Sequence, residues 1–400
     1  MNEKYIPRLA EETVIELAKG FPIVSVMGPR QSGKTTMVRR VFGDRPYVSL
    51  EDPDNRAFAT EDPRGFLRRY EDGAIFDEVQ RTPELFSWLQ GMADQANSGG
   101  RMGRFILTGS QQFGLMEGVS QSLAGRAGEL RLLPLCLPEL DGYAKDIDTC
   151  IYTGLYPALY SRDVTPQIWY SNYVQTYLER DVRSIAAIRD MAAFQKFLRL
   201  TAGRCGQILN LSALGSDAGV THNTAKAWIS ILQASLIVFL LQPFHKNYNK
   251  RLIKSPKLYF YDTGLACRLI GIGDPAQLAV HPFRGALFEN LAISEVVKSY
   301  TNRGLTPPCY FWRDASGHEV DLIVEEGATV LPVEMKSGMT VAADALDGLK
   351  KWRELSGANG GVLLYGGDEA YERSGFRVAP WRDAYGIVRL ALTPGGRRRP

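Results

Sequence analysis

The feature that most constrains this chain is a short stretch near its amino end, residues 28–35, which fits the pattern G-x-x-x-x-G-K-[ST]. Glycines let the backbone N–H groups of such a loop wrap a phosphate, while Lys34 reaches the β- and γ-phosphates and Thr35 ligates Mg²⁺. An apolar run over 21–27 precedes the loop and a helical pattern follows it, which is the context the motif requires. We therefore expect an ATP site here. Its candidate residues are Gly28, Pro29, Arg30, Gln31, Ser32, Gly33, Lys34, Thr35 and Thr36.

A second part of this site is expected at the ends of two other strands. Asp77 follows a strand predicted over 74–76, where a carboxylate would hold the metal, and Glu78 beside it can deprotonate the attacking water. Thr108 or Ser110, at the end of the next predicted strand, lies where a polar side chain would sense the γ-phosphate. The alternative interpretation is a glycine-rich turn beside a surface Asp–Glu pair. The phosphate loop and these polar residues together predict ATP hydrolysis with Mg²⁺ as cofactor.

One further strand is predicted over 47–50. It lies in the chain between the strand before the phosphate loop and the strand before Asp77, and this arrangement resembles the branch of ATPases that includes AAA+ proteins. That resemblance implies a homo-oligomer, a ring or a dimer, in which a neighbour inserts an arginine to stabilise the transition-state charge. Arg126 and Arg180 are the candidates. Each can instead be a solvated or salt-bridged arginine.

Six short motifs extend the resemblance over nearly the whole chain. They are similar to prokaryotic predicted ATPases of the AAA+ superfamily that carry a C-terminal domain of unknown function. The resemblance implies ATP binding, ATP hydrolysis and contact with DNA, without naming a pathway. The motifs lie at residues 76–80, 105–110, 122–126, 177–182, 259–265 and 320–324.

The middle of the chain contains a helix–turn–helix pattern. Two helices are predicted within 211–234, with a turn over 217–220 and Thr221 capping the second helix. His222, Asn223, Lys226 and Trp228 fall early on that helix, where a recognition helix touches DNA. The helix has no arginine suited to guanine, so recognition of DNA shape is favoured over base reading.

Two strands predicted over 237–244 and 257–261 would complete a winged helix. The stretch 245–257 between them has five Lys or Arg and no acid, in a chain of nearly balanced charge. This bias favours contact with the DNA backbone. The alternative is that the winged helix only packs against the core or a neighbour. The candidate DNA contacts are His222, Asn223, Lys226, Lys246, Lys250, Arg251 and Lys254.

The last block of the chain carries a pattern of two acids and a lysine. Asp321 is followed thirteen residues later by Glu334 and then by Lys336, at the end of another predicted strand. This spacing resembles the PD-(D/E)xK nuclease core, in which two carboxylates bind Mg²⁺ and the lysine positions water. Glu289, on a helix predicted over 285–300, matches an extra acid of such folds, whereas Val320 stands where the motif has proline. The alternatives are an inactive fold kept for DNA binding or packing, and a plain surface strand.

Composition excludes several classes of protein. The 400 residues are 45% apolar and 23% charged with a net charge of +3, which excludes a disordered chain, a collagen-like chain and a coiled-coil rod. Five scattered cysteines form no C-x-x-C pair, so neither a zinc knuckle nor a disulfide framework is expected. The start of the chain has no apolar signal core, and its longest apolar stretch, near 229–241, is too short for a bilayer. We expect a cytoplasmic protein without a membrane partner.

Together these observations predict an α/β protein in four parts. They are an AAA+ P-loop core with a parallel sheet (1–140), a helical, lid-like extension (141–190), a winged helix (191–272) and a restriction-endonuclease-like α/β domain (283–400), with a linker near 274–282. The first functional hypothesis is an ATPase that binds branched or broken DNA and remodels it. The second is an ATP-dependent metal nuclease in defence or mobile-element control. The third is a nucleotide-switched regulatory ATPase that does not process DNA.

Overall fold

A parallel sheet organises the amino-terminal part of the chain. The computed structural model describes residues 5–97, 101–110, 123–140, 142–143, 145–178, 190–244, 254–314, 316–358 and 360–392. The strands of this sheet are β1 (Ile23–Gly28), β2 (Tyr47–Ser49), β3 (Ala74–Asp77), β4 (Phe105–Ser110) and β5 (Ala127–Arg131). They are parallel and stand in the order β2-β3-β4-β1-β5. The helices are α1 (Ala10–Gly20), α2 (Lys34–Val41), α3 (Pro53–Glu61), α4 (Pro63–Arg68) and α5 (Leu85–Asn97).

Burial on both faces explains why the central strands are continuous apolar runs. Every residue of β1, β3 and β4 is buried, because helices and apolar clusters cover both sides of the sheet. In the sheet β4 lies between β1 and β3. The carboxyl ends of these three parallel strands therefore meet at one edge, and this edge carries the phosphate loop, Asp77 and Ser110.

The middle of the chain is helical. Its first helices are α6 (Ile147–Thr153), α7 (Ala158–Ser161) and α8 (Pro166–Tyr173), which continues into a π-helical turn (Val174–Leu178). The next are α9 (Met191–Ala202), the two helices of the predicted motif, α10 (Leu211–Ala218) and α11 (His222–Ala234), and then α12 (Thr263–Ile270) and α13 (Pro275–Ala279). Thr221 caps α11 as predicted, because its side chain accepts a hydrogen bond from the Thr224 N–H at 3.2 Å.

A second, mixed sheet organises the rest. Its strands are β6 (Val238–Pro243), β7 (Lys257–Phe260), β8 (Cys309–Arg313), β9 (Glu319–Glu326), β10 (Thr329–Lys336), β11 (Val362–Tyr365), β12 (Tyr371–Arg373) and β13 (Phe376–Pro380). They stand in the order β12-β13-β11-β10-β9-β8-β6-β7. The helices of this part are α14 (Arg284–Thr301), α15 (Asp347–Ser356) and α16 (Ile387–Leu392). Among the described residues, no helix is long and apolar enough to cross a membrane.

The second sheet runs through the position where a linker was expected. Strands β6 and β7 pair antiparallel as a wing would, but β6 also pairs with β8, with Gln242 opposite Tyr310. Residues 275–279 form the helix α13, capped by Asp274, and Leu278 is buried in an apolar core that extends from the middle helices to α14. The predicted winged helix and the carboxyl-terminal block thus share one sheet and one core.

Candidate active site

The phosphate loop has the backbone that its glycines require. Gly33 has a φ of 92°, a left-handed conformation that favours glycine. A Cβ on Gly28 would lie 2.1 Å from the Leu132 carbonyl oxygen, so no larger residue fits there. The Lys34 ammonium donates to the carbonyl oxygens of Gly28 at 3.0 Å and Pro29 at 2.8 Å. This geometry holds the lysine over the loop at the start of α2, whose amino end favours an anion.

Asp77 is the centre of a cluster of hydroxyl groups at the sheet edge. The Thr35 hydroxyl donates to its Oδ1 at 3.0 Å, and the Tyr47 hydroxyl donates to its Oδ2 at 2.7 Å. Thr108, fully buried, also donates to Oδ1. Sequence motifs predicted Thr35, Asp77 and Thr108 here but missed Tyr47, whose position on a three-residue edge strand gave no signal.

This donor set fits a nucleotide-bound Mg²⁺. A hydroxyl and a carboxylate oxygen, both hard oxygen donors, lie side by side on Thr35 and Asp77. The hydroxyl of Ser32 in the loop is buried and has no hydrogen-bond partner among the described residues, as expected of a loop built to receive a phosphate. The residues present therefore agree with the predicted cofactor pair.

Glu78 adopts a strained conformation directly after β3. Its φ is 57°, which is uncommon for a residue with a side chain. Gln80 donates to that carboxylate and, at 3.0 Å, to the Ser110 hydroxyl. Burial raises the pKa of Glu78 above its ordinary value, opposed by the nearby charges of Lys34 and Arg30. Gln80 is a second residue of the site that was not among the predicted site residues.

A pocket of about 320 Å³ opens beside the phosphate loop. Gln31 and Thr36 form its loop side, and the segment before α1 together with α7 closes it. Sequence spacing gave no signal for this pocket, because its walls come from distant parts of the chain. The other lining residues are Tyr5, Ile6, Arg8, Gly33, Pro157, Ala158, Ser161 and Arg162.

Arg126 lies away from the phosphate loop of its own chain. It precedes β5, whose Ala127 pairs with Ile23 at the amino end of β1, whereas the loop follows the carboxyl end of β1. About 16 Å of strand separates the two ends. The Arg126 guanidinium pairs with Asp94 at 2.6 Å on the surface. Any part in hydrolysis therefore requires a neighbouring copy. Arg180 lies outside the described residues.

The predicted DNA contacts divide into three groups. His222, Asn223 and Lys226 are exposed at the start of α11, and Lys254 is exposed before β7. Trp228 does not share that surface: it is 6% exposed and packs edge-on against Phe194 and Phe197, so it belongs to the core. Lys246, Lys250 and Arg251 lie outside the described residues.

The acids of the carboxyl-terminal pattern do come together. Asp321 on β9 accepts a hydrogen bond from the Met335 N–H at 2.8 Å, and the Lys336 ammonium lies 2.8 Å from Glu334. Burial and the charge of Asp321 raise the pKa of Glu289 to about 7 and that of Glu334 to about 8. Burial also raises the pKa of Asp321.

A lysine lies among some of these acids. Within the described ranges, no three His, Cys, Asp or Glu side chains are grouped so as to hold a metal ion. The Lys257 ammonium instead lies 3.0 Å from Glu289 Oε1 and pairs with Glu319. Glu334 Oε2 is buried and has no hydrogen-bond partner among the described residues, and the nuclease-like metal site at Glu289, Asp321 and Glu334 stays a prediction.

Family models match three consecutive parts of the chain. The model described as "AAA domain" matches residues 20–140. Two models described as domains of unknown function, DUF8612 and DUF4143, match residues 144–276 and 284–384. The match to the AAA domain covers the parallel sheet, the phosphate loop and Asp77.

Two mycobacterial proteins are similar over most of the chain. Rv2008c of Mycobacterium tuberculosis and Mb2031c of Mycobacterium bovis, both described as uncharacterized, are each 32% identical over 323 residues, which is 80% of this chain and 71% of theirs.

Solved structures resemble the chain more weakly. The Walker-type ATPase paby2304 of Pyrococcus abyssi covers 67% of this chain and 97% of its own, at 16% identity and a TM-score of 0.46. A RuvB protein of Thermotoga maritima covers 57% of this chain and 86% of its own, at 16% identity and a TM-score of 0.27.

Proposed function

This chain belongs to the family of the mycobacterial proteins Rv2008c and Mb2031c and carries an AAA domain, and from that premise we propose that it binds ATP with Mg²⁺ and hydrolyses it. The observation that carries the proposal is the meeting of Lys34, Asp77 and Glu78 at one edge of the parallel sheet. The strands β1 and β3 are far apart in the chain but end at the same edge of the sheet. The phosphate loop follows β1, and the metal-binding carboxylate and the base lie at the end of β3.

Each residue has a distinct part in the proposed reaction. The loop N–H groups and Lys34 bind the β- and γ-phosphates, and bound Mg²⁺ would neutralise phosphate charge, held by Thr35 and Asp77. Glu78 accepts a proton from water as the water oxygen attacks the γ-phosphorus and the bond to the β-phosphate oxygen breaks, giving ADP and phosphate. The nucleoside is proposed to occupy the pocket between Tyr5, Gln31 and Pro157.

The first test is ATP turnover with Mg²⁺. We expect steady hydrolysis by the full chain and none above background for Lys34→Ala, because that change removes the ammonium held over the loop. Glu84→Gln, an exposed substitution six residues after Glu78 in the chain, serves as a control that leaves turnover unchanged. An unchanged rate in folded Lys34→Ala would contradict the proposed site.

We further propose that the ATPase acts on DNA through the start of α11. The support is a cluster of exposed polar and basic side chains, His222, Asn223 and Lys226. Lys254 is also exposed, and its neighbour Ser255 lines one cavity with His222 and Lys226. The N-cap at Thr221 gives this helix a fixed start. Turnover measured with single-stranded, duplex and branched DNA should therefore rise with one of them. Turnover that ignores every DNA would favour the regulatory alternative.

A charge-removal experiment tests this surface directly. The double variant Lys226→Ala with Lys254→Ala should weaken DNA binding and reduce the slope of log Kd against log salt by about two, one for each lost phosphate contact. Lys19→Ala, an exposed lysine at the end of α1, is the matched control. Fluorescence anisotropy over a salt series measures both quantities. An unchanged slope of log Kd against log salt would show that DNA binds to another surface of the protein.

A further inference from the structure

A buried lysine lies at the centre of the carboxyl-terminal acids. The Lys257 side chain on β7 is only 4% exposed, and its ammonium lies 3.0 Å from Glu289 Oε1 on α14 and in contact with Glu319 on β9. The same ammonium lies 5.6 Å from the centre of the Phe311 ring on β8. Three strands of the second sheet and one helix thus converge on one charge.

The carboxylates around Lys257 are occupied by internal partners. Glu289 Oε1 accepts from both Lys257 and the Tyr259 hydroxyl, and Glu319 pairs with Arg313 at 3.3 Å as well as with Lys257. Asp321, the third acid whose charge acts on Lys257, binds the Met335 N–H at 2.8 Å. A divalent ion would have to displace an ammonium that has almost no contact with solvent.

The position of this lysine is fixed by the neighbouring backbone. Asn290, next to Glu289 and fully buried, accepts from the Phe260 N–H at 2.7 Å and donates to the Phe260 carbonyl oxygen at 2.8 Å. These two bonds lock β7 onto α14. They therefore place the backbone of Lys257 on β7 beside Glu289 on α14.

We propose that Lys257 is the resident cation of this cluster, taking the place that a divalent metal would occupy among Glu289, Glu319 and Asp321. The carboxyl-terminal sheet is then a metal-independent part of the protein, and the ion pairs join β7, from the predicted winged helix, to α14 and β9. An ammonium with three donors satisfies several carboxylates at once without a metal. This inference is independent of the ATPase proposal.

Metal titration of the full chain tests the inference. An Asp77→Asn background, without nucleotide, removes the metal ligand of the ATP site, and Mn²⁺ is the probe. In this background at micromolar metal, we expect the electron paramagnetic resonance signal of free Mn²⁺ to keep its full amplitude, because no Mn²⁺ is bound. Adding Lys257→Met, which keeps an apolar stem against Phe311, should create one Mn²⁺ site and make the unfolding temperature rise with Mn²⁺. Adding Asp321→Asn should remove that site again.

Three results would overturn the inference. The first is Mn²⁺ binding in the Asp77→Asn background that is lost on adding Asp321→Asn, because the metal would then bind despite Lys257. The second is a folded Lys257→Met variant that gains no site, and the third is an unfolded one that Mn²⁺ does not rescue. If Lys257→Met folds only when Mn²⁺ is present, the metal has replaced the lysine, which supports the inference.

Discussion

Replacing Glu78 by glutamine should lower kcat for ATP hydrolysis by about a hundred- to ten-thousandfold, the range that a positioned general base contributes. The amide keeps the size of the side chain and its contact with Gln80, but it cannot accept the proton of the attacking water. The phosphate loop, Lys34 and Asp77 are untouched, so binding of ATP should be retained. Single-turnover kinetics and a fluorescent nucleotide titration measure the two effects separately.

The controls for Glu78 distinguish chemistry from folding. Glu84→Gln changes an exposed carboxylate a few residues away and should leave both kcat and ATP affinity as they are. If Glu78→Gln weakened ATP binding and kcat together, Glu78 would act in positioning the nucleotide. A Glu78→Gln variant that turns over ATP at the full rate would require another base.

The surroundings of Glu78 also set a pH dependence. Burial raises its pKa above the ordinary 4.5, so the carboxylate becomes protonated at a higher pH than a solvent-exposed glutamate does. Because only the ionised form accepts a proton, kcat should fall as the pH is lowered, with a midpoint above 4.5. This fall in kcat at low pH should be absent from the pH profile of the residual activity of Glu78→Gln.

The ATP-site motif could be read from the sequence because its parts are local. Residues 28–35 define their own loop, and Asp77 and Glu78 follow a buried strand. Tyr47 could not be identified in this way, since it reaches Asp77 through the pairing of β2 with β3. Gln80 lies within the motif at 76–80, but its bond to the Ser110 hydroxyl depends on the fold. The pocket beside the loop was missed for the same reason, because its walls, such as Pro157, are joined to it only by the fold.

Domain boundaries in the rest of the chain were harder to predict from sequence, for a different reason. Glycines and prolines near 274–282 predicted a linker, but such residues also begin and end short helices, and Asp274 caps one here. The parallel pairing of β6 with β8 joins strands far apart in the chain, and no local pattern specifies it. Trp228 was grouped with the DNA-contacting residues only because of its position along α11. Its packing against Phe194 and Phe197, which the sequence does not show, places it in the core.

The second large effect is expected at Arg8, which connects the phosphate loop to the rest of the protein. Its guanidinium pairs with Glu139 at 3.1 Å, with side-chain exposures of 3% and 1%, and donates to the Ser32 carbonyl oxygen at 2.7 Å. Arg8→Met leaves the Glu139 carboxylate buried without its cation, which costs about 3–5 kcal/mol of unfolding free energy. Losing the bond to Ser32 should also weaken ATP binding.

A double-mutant cycle separates these two effects. Glu139→Gln removes the buried carboxylate charge that Arg8→Met leaves unpaired. Arg8→Met with Glu139→Gln should therefore be more stable than Arg8→Met alone in urea unfolding. The weaker ATP binding should remain in the double variant, because it arises from the bond to Ser32 and not from the ion pair. Arg68→Met, an exposed arginine on α4, is the matched control for both measurements. ATP affinity that recovers fully in the double variant would show that Arg8 acts on the phosphate loop only through stability.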